Sequence, residues 1–146
     1  MWSDTVLAAE RAHLLRLFAW GGASVLLGTL VVVALLVRRG DSPLLRWFGV
    51  MTAAWGAVDL AIAAVAWRGL APRDVSGFTR LDRLLWLNVG LDVGYAAVGV
   101  TLALLGWRLG RRLGLVGSGA AVVTQGLALL LLDARFLATL AAVAAT

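Results

Sequence analysis

The chain has 146 residues, of which 62% are hydrophobic and 14% are charged, and its mean hydropathy is +0.93. This composition is far more apolar than that of an ordinary soluble domain and predicts an integral membrane protein. Without cysteine it has no disulfide, thiolate metal site or redox dithiol. All thirteen basic residues are arginines that flank apolar segments, so we interpret the pI of 11.5 as membrane topology and headgroup contact, with no nucleic-acid partner.

Four apolar segments are each long enough to cross a bilayer as a helix, at about 1.5 Å rise per residue. Ser3 or Asp4 is suited to cap a helical extension over 4–16 that continues directly into the first span. Short connections make neighbouring helices antiparallel. We therefore predict an all-α fold, an antiparallel four-helix transmembrane bundle in a single domain 1–146, with spans 17–37, 47–67, 84–107 and 113–132.

The flanking residues bear on orientation. The first residues lack the basic leader of a removable signal peptide, so we expect the first span to be retained. The first and third loops hold six arginines and the opposite side holds seven, and these counts do not decide the orientation. The higher density of arginine in the two shorter loops favours a cytoplasmic position for them, with both termini on the other side, which we call the terminal side.

Asp59 and Asp92 interrupt spans that are otherwise apolar. An ionisable side chain at that position costs roughly 2.5–3.5 kcal/mol, a cost seldom carried without a reason. Counted from the predicted helix ends, both carboxyl groups lie about 10–12 Å below the terminal-side membrane face, and the other two spans place a polar residue at the same depth. With the helical neighbours of Asp92 included, we predict one intramembrane polar layer formed by Ser24, Asp59, Asn88, Asp92, Tyr95 and Gln125.

Glu10, His13 and Arg16 precede this layer on the first helix and form a candidate access route from the terminal side. Two carboxylates in a low dielectric share a proton or hold a cation, unless Arg16 neutralises one of them in an internal salt bridge. The structural alternative is that the carboxyl groups are neutral and form hydrogen bonds between helices. We expect His13 near the headgroups rather than in a relay. One histidine without cysteine makes no zinc site of the usual type, and no metal or cofactor is predicted.

Glycines predict where helices approach closely. Gly90 and Gly94 form a GxxxG pattern opposite the Asp92 face. Two readings stay open: the third span lies between neighbours inside the bundle, or its glycine face meets another copy or a larger complex. Glycine pairs seven residues apart predict similar helix hairpins in the two halves of the chain, namely Gly21/Gly28, Gly49/Gly56, Gly99/Gly106 and Gly119/Gly126.

Several segments of the sequence resemble the pattern of one protein family. Leu87–Tyr95, Gly117–Gly126 and then Asp133 resemble the signature of an uncharacterised family of small four-span bacterial membrane proteins. Phe18–Gly21 and Ala54–Ala57 are similar to the pattern of that family too. The resemblance covers most of the chain. It implies a four-span fold in the bacterial cytoplasmic (inner) membrane, and it implies no activity.

Two functions remain open at this stage. The first is a structural or accessory bundle, homo-oligomeric or bound to a larger membrane complex, whose polar layer fixes helix register. The alternative is a proton- or cation-linked transporter or channel that uses Asp59 and Asp92. An enzyme is not expected, because the sequence has no Ser/His/Asp arrangement, metal cluster or phosphate loop.

Overall fold

A computed structural model describes residues 2–145 of the protein, and these residues form four helices without a strand. By length and composition, each helix is suited to cross a membrane. The predicted all-α, four-helix architecture is therefore confirmed. The helices are α1 (Trp2–Val37), α2 (Pro43–Arg68), α3 (Val75–Arg108) and α4 (Leu113–Ala144).

Local sequence explains where the helices begin. Ser42 caps α2 by accepting a hydrogen bond from the backbone N–H of Leu45, and Pro43 occupies the first turn, where its missing N–H costs nothing. Asp74 caps α3 in the same way, accepting from the N–H of Gly77 at 2.7 Å. Between α3 and α4, Gly110 has a φ of 77°, a left-handed conformation that glycine adopts without steric cost.

Three helices continue beyond the predicted spans on the terminal side. The α1 helix includes the whole 4–16 extension, α3 begins at Val75 instead of near 84, and α4 continues to Ala144 instead of ending near 132. The hydropathy pattern ends early because charged residues enter the sequence, whereas the helices keep one apolar face. These extensions bury a small core of their own, the terminal-side core, formed by Val6, Leu85, Phe136 and Leu140.

Glycines hold the α1–α2 hairpin together. A Cβ atom added at Gly56 would lie 2.6 Å from the Ser24 Cβ and 2.7 Å from the Gly21 carbonyl oxygen. One at Gly49 would lie 2.8 Å from the carbonyl oxygen of Gly28. Distances this short leave no room for a side chain, so the two antiparallel backbones approach directly.

The α3–α4 hairpin uses the same device. A Cβ atom added at Gly99 would lie 2.8 Å from the Gly119 carbonyl oxygen, and one at Gly126 would lie 2.8 Å from the carbonyl oxygen of Asp92. The α3–α4 and α1–α2 pairs are the most extensive helix contacts in the described chain. The glycine spacing therefore marks two hairpins of similar construction, as the sequence pattern indicated.

The position of α3 differs from the expected one. The central helix is α4, which packs against all three others, whereas no Cα atom of α3 comes within 8 Å of α1 or α2 among the described residues. Gly90 and Gly94 face outward, with no atom within 4 Å of a Cβ added at either position. The prediction that α3 is sandwiched within the bundle at these glycines is wrong, because Gly99 and Gly106 supply its close contacts instead.

Candidate functional site

A cavity of about 190 Å³ opens between α2 and α3, where their backbones stay apart. We call it the acidic cavity, because aspartates from three helices line it. Its polar lining consists of His13, Asp59, Asn88, Asp92, Tyr95 and Asp133. Its apolar lining consists of Leu17, Trp55, Val58, Ile62, Leu91 and Leu129.

Asp59 and Asp92 have buried carboxyl groups without protein partners. Each residue is only 4% exposed. The Oδ2 atom of each is buried and has no hydrogen-bond partner among the described residues. A buried polar atom that lacks a partner costs about 1–3 kcal/mol, and a charged one costs more. Each of the two aspartates therefore has one buried oxygen whose hydrogen bonds residues 2–145 do not complete.

Asp133 is the third carboxyl group of the acidic cavity, and it has a partner. Its Oδ1 lies 3.3 Å from Nε2 of His13. Asp133 lies one residue past the predicted end of the fourth span, so the predicted polar layer does not include it. The signal was present in the spacing, since Gln125, Leu129 and Asp133 follow one another at four-residue intervals on one face of α4.

His13 is buried inside the protein, so its expected surface position is wrong. It is 5% exposed, and its ring stacks on Phe136 with the centroids 4.4 Å apart. Its Nδ1 atom is buried without a partner in the described chain. The reason is that the helical extensions of α1 and α4 pack against each other at this level, which encloses the imidazole ring.

The other two predicted layer residues form a separate group. The indole Nε1 of Trp20 donates to Oε1 of Gln125 at 2.6 Å, and Nε2 of Gln125 donates to Oγ of Ser24 at 3.0 Å. We call these three residues the Gln125 cluster. They connect α1 to α4 and do not line the acidic cavity. The predicted layer is therefore divided in two, with Asp59, Asn88, Asp92 and Tyr95 on the cavity side.

The predicted access residues have different surroundings. Glu10 is buried and pairs with Arg73 of the α2–α3 loop, whose Nε donates to Oε2 of Glu10 at 2.8 Å and whose second nitrogen contacts the other oxygen. This hydrogen bond raises the pKa of Arg73. Arg16 lines a separate groove against α4 and forms no ion pair with a carboxylate in the described chain. The internal salt bridge considered for Arg16 is therefore not formed.

Aromatic rings adjoin the acidic cavity at one end. The rings of Trp55 and Tyr95, from α2 and α3, lie with their centroids 5.0 Å apart and inclined at 60°. The two rings contact each other across the gap between α2 and α3. No group of three or more His, Asp or Glu side chains within residues 2–145 is arranged to hold a metal ion.

Comparison with known proteins gives a family but no activity. No curated protein and no solved structure matches the chain. The family of unknown function DUF6992 matches it over residues 16–134. That range contains the whole of α2 and α3, parts of α1 and α4, and every residue of the acidic cavity except His13. Because the match covers well over half of the sequence, this chain belongs to the family of unknown function DUF6992.

Proposed function

We propose that the protein is a non-enzymatic, multi-pass protein of the bacterial cytoplasmic membrane that reversibly binds a proton or a monovalent cation in the acidic cavity. Binding there is the central step of a proton- or cation-linked carrier or channel, with the bilayer as its surroundings. The observation that carries this proposal is the pair of buried, unpartnered carboxyl oxygens on Asp59 and Asp92.

Charge balance supports this function. Three carboxyl groups line the acidic cavity, and His13, which contacts Asp133, is the only basic side chain among the described residues that line it. Residues 2–145 therefore supply no cation that pairs with Asp59 or Asp92. Carboxylates in a low dielectric take up protons or hold a cation when no fixed positive charge is near. Either event is reversible and responds to conditions outside the protein, which is what a coupled carrier requires.

A structural or accessory bundle is the second candidate, and the Gln125 cluster favours it. Hydrogen bonds between transmembrane helices contribute about 0.6 kcal/mol on average and fix helix register. The Gln125 cluster has the form expected of such a contact, because the amide of Gln125 is bonded on both sides. The acidic cavity lacks this form, and for that reason we prefer the binding function.

Infrared spectroscopy of purified protein in lipid nanodiscs tests the proposal. We expect the carboxyl stretching band of the wild type to change across a pH series around neutrality, and Asp59→Asn and Asp92→Asn each to alter that change. Because neighbouring carboxyl groups titrate together, each substitution should affect the remaining signal as well as removing its own. Asp41→Asn is the matched control, since Asp41 is exposed in the first loop. A band that stays constant with pH, or that only Asp41→Asn alters, contradicts a proton-binding cavity.

A further inference from the structure

The lining of the acidic cavity combines polar and apolar residues. Asp59 and Asp92 supply acceptor oxygens, whereas Ile62 of α2 and Leu91 of α3 supply apolar walls. A bound proton or a bare metal ion needs only the oxygens. The apolar walls favour a ligand that has an apolar part of its own. Ligand pockets typically combine apolar walls with a few polar groups that fix the orientation of the ligand.

Metal coordination is a poor fit to this geometry. Small inorganic cations need several oxygen ligands converging at a short distance. In the described chain, His, Asp and Glu side chains form no group suited to hold a metal. An organic ammonium group has different requirements, because its N–H donors form hydrogen bonds with separate carboxylates and its carbon substituents prefer apolar contact.

The volume and the aromatic lining set the size and type of the cation. An apolar cavity of about 150 Å³ accepts benzene, and the acidic cavity measures about 190 Å³. One ring or a short alkyl chain together with one ammonium group would fill it. The faces of Trp55 and Tyr95 attract a cation positioned near them.

The mouth of the acidic cavity opens to the side of the bundle. Three residues that line the acidic cavity are largely exposed, namely Val58 at 47%, Ile62 at 58% and Leu91 at 45%. These rim residues lie within apolar helices suited to cross a membrane, so the mouth faces the region that lipid would occupy. A hydrophobic amine dissolved in the bilayer would reach the carboxyl groups without crossing the loops.

We propose that the acidic cavity binds small hydrophobic amines in their ammonium form and admits them from the bilayer between α2 and α3. The ammonium group donates to Asp59 and Asp92, and the apolar part lies against Ile62, Leu91 and Trp55. This inference rests on the proposed function, since it names the cation that the site binds.

Binding measurements with benzylammonium test the inference, with benzyl alcohol as the neutral probe of similar shape. Titration calorimetry on the full chain in nanodiscs should show saturable binding of benzylammonium to one site. Benzyl alcohol should bind at least about tenfold more weakly, because it lacks the charge that the carboxylates neutralise. Equal affinity for the two probes would overturn the inference. So would competition by sodium ions at the same concentrations as benzylammonium, since that result describes an inorganic cation site.

Two sets of variants, each with its own control, locate the ligand. Asp59→Asn and Asp92→Asn should each lower the affinity for benzylammonium by at least about tenfold, whereas Asp41→Asn should leave it unchanged. Ile62→Trp should obstruct the mouth and weaken binding. Leu26→Trp is its control, because Leu26 is 66% exposed on α1 and does not line the acidic cavity. Retained binding in Ile62→Trp, with the elution volume and helical signal of the wild type, would overturn the lateral route.

The two proposals fail separately. If the carboxyl band titrates and depends on Asp59 and Asp92 but benzylammonium does not bind, the amine inference is wrong and the proton-binding function stands. If neither the band nor benzylammonium responds to the aspartates, both proposals are wrong.

Discussion

The Gln125 cluster and the acidic cavity are two polar groups within one apolar bundle, and they differ in how their atoms are satisfied. In the Gln125 cluster, both polar ends of the Gln125 side chain have protein partners. In the acidic cavity, Asp59 and Asp92 each retain a buried oxygen without one. Gln125, Asp59 and Asp92 are buried to a similar extent, so burial does not distinguish the two groups. The difference lies in whether the described chain completes the hydrogen bonds.

The spacing of the helices differs around the two groups. In the Gln125 cluster, side chains of α1 and α4 contact each other directly. On the other side of the bundle, α2 and α3 are separated and leave room for a cavity. The same four helices thus contain one polar group whose hydrogen bonds are formed within the protein and one that borders a cavity.

The largest expected effect is the loss of the close packing beside the Gln125 cluster. Gly56→Leu should lower the free energy of unfolding by about 3 kcal/mol or more, because the new side chain meets Ser24 and the backbone of Gly21, which cannot move aside. Gly94→Leu is the control, since it gains the same helix propensity and meets no atom within 4 Å. Reversible unfolding in mixed detergent micelles gives both values.

The outcome for Gly94→Leu also decides a question left by the sequence. If it destabilises the protein in a bilayer as strongly as Gly56→Leu, then the outward glycine face meets another copy or a partner. A neutral result in detergent and in bilayer indicates that this face contacts only lipid.

The next effect comes from the Gln125 cluster itself. Gln125→Leu keeps the apolar volume similar but leaves the indole N–H of Trp20 and the hydroxyl of Ser24 without their partner. We expect a loss of about 1–3 kcal/mol in the same unfolding measurement. The fluorescence of Trp20 should change as well. Subtracting the spectrum of a Trp20→Phe variant identifies the contribution of Trp20. An unchanged stability would show that the cluster does not hold α1 and α4 together.

A smaller effect is expected in the acidic cavity. Asp92→Asn removes no protein hydrogen bond from the unpartnered Oδ2 and eliminates the cost of a buried charge. The free energy of unfolding should therefore change by less than about 1 kcal/mol, in either direction. A loss as large as that of Gln125→Leu would make Asp92 a structural residue and would contradict the contrast between the two polar groups.

The sequence predicted the class and the number of helices because apolar length is a one-dimensional property. It also indicated Asp59 and Asp92, since an acidic residue within an apolar segment is visible without coordinates. Their shared cavity could not be derived in the same way. Depth can be counted along a helix, but which neighbours meet depends on packing, and the central position of α4 follows from glycines whose contacts the sequence does not display.

Two of the differences lie at the terminal side, where the helices continue past the apolar segments. His13 was predicted at the surface, and Asp133 lies one residue past the predicted end of the fourth span. Helices that extend past the apolar segment keep a buried face, as Phe136 and Leu140 show in the terminal-side core. The Glu10–Arg73 ion pair was also missed, because it joins residues far apart in the sequence. The GxxxG pattern marks no contact within the described bundle, because small residues permit close approach without requiring it, and contact of this face with another copy or a larger complex stays a prediction.

The smallest effect lies outside both polar groups, at the exposed cap of α3. Hydrogen bonds from the N–H of Gly77 and from Ser76 lower the pKa of Asp74 below its ordinary value of 3.8. A carboxyl group with a lowered pKa stabilises the fold above its unfolded pKa, and that contribution is lost as the pH falls through the lower folded value. Asp74→Ala should therefore reduce the melting temperature slightly and by the same amount from mildly acidic to neutral pH. Asp74→Asn, which keeps a capping oxygen, should lose less. The difference between wild type and Asp74→Ala should shrink only in strongly acidic solution, and a difference that disappears near neutral pH would contradict the capping role.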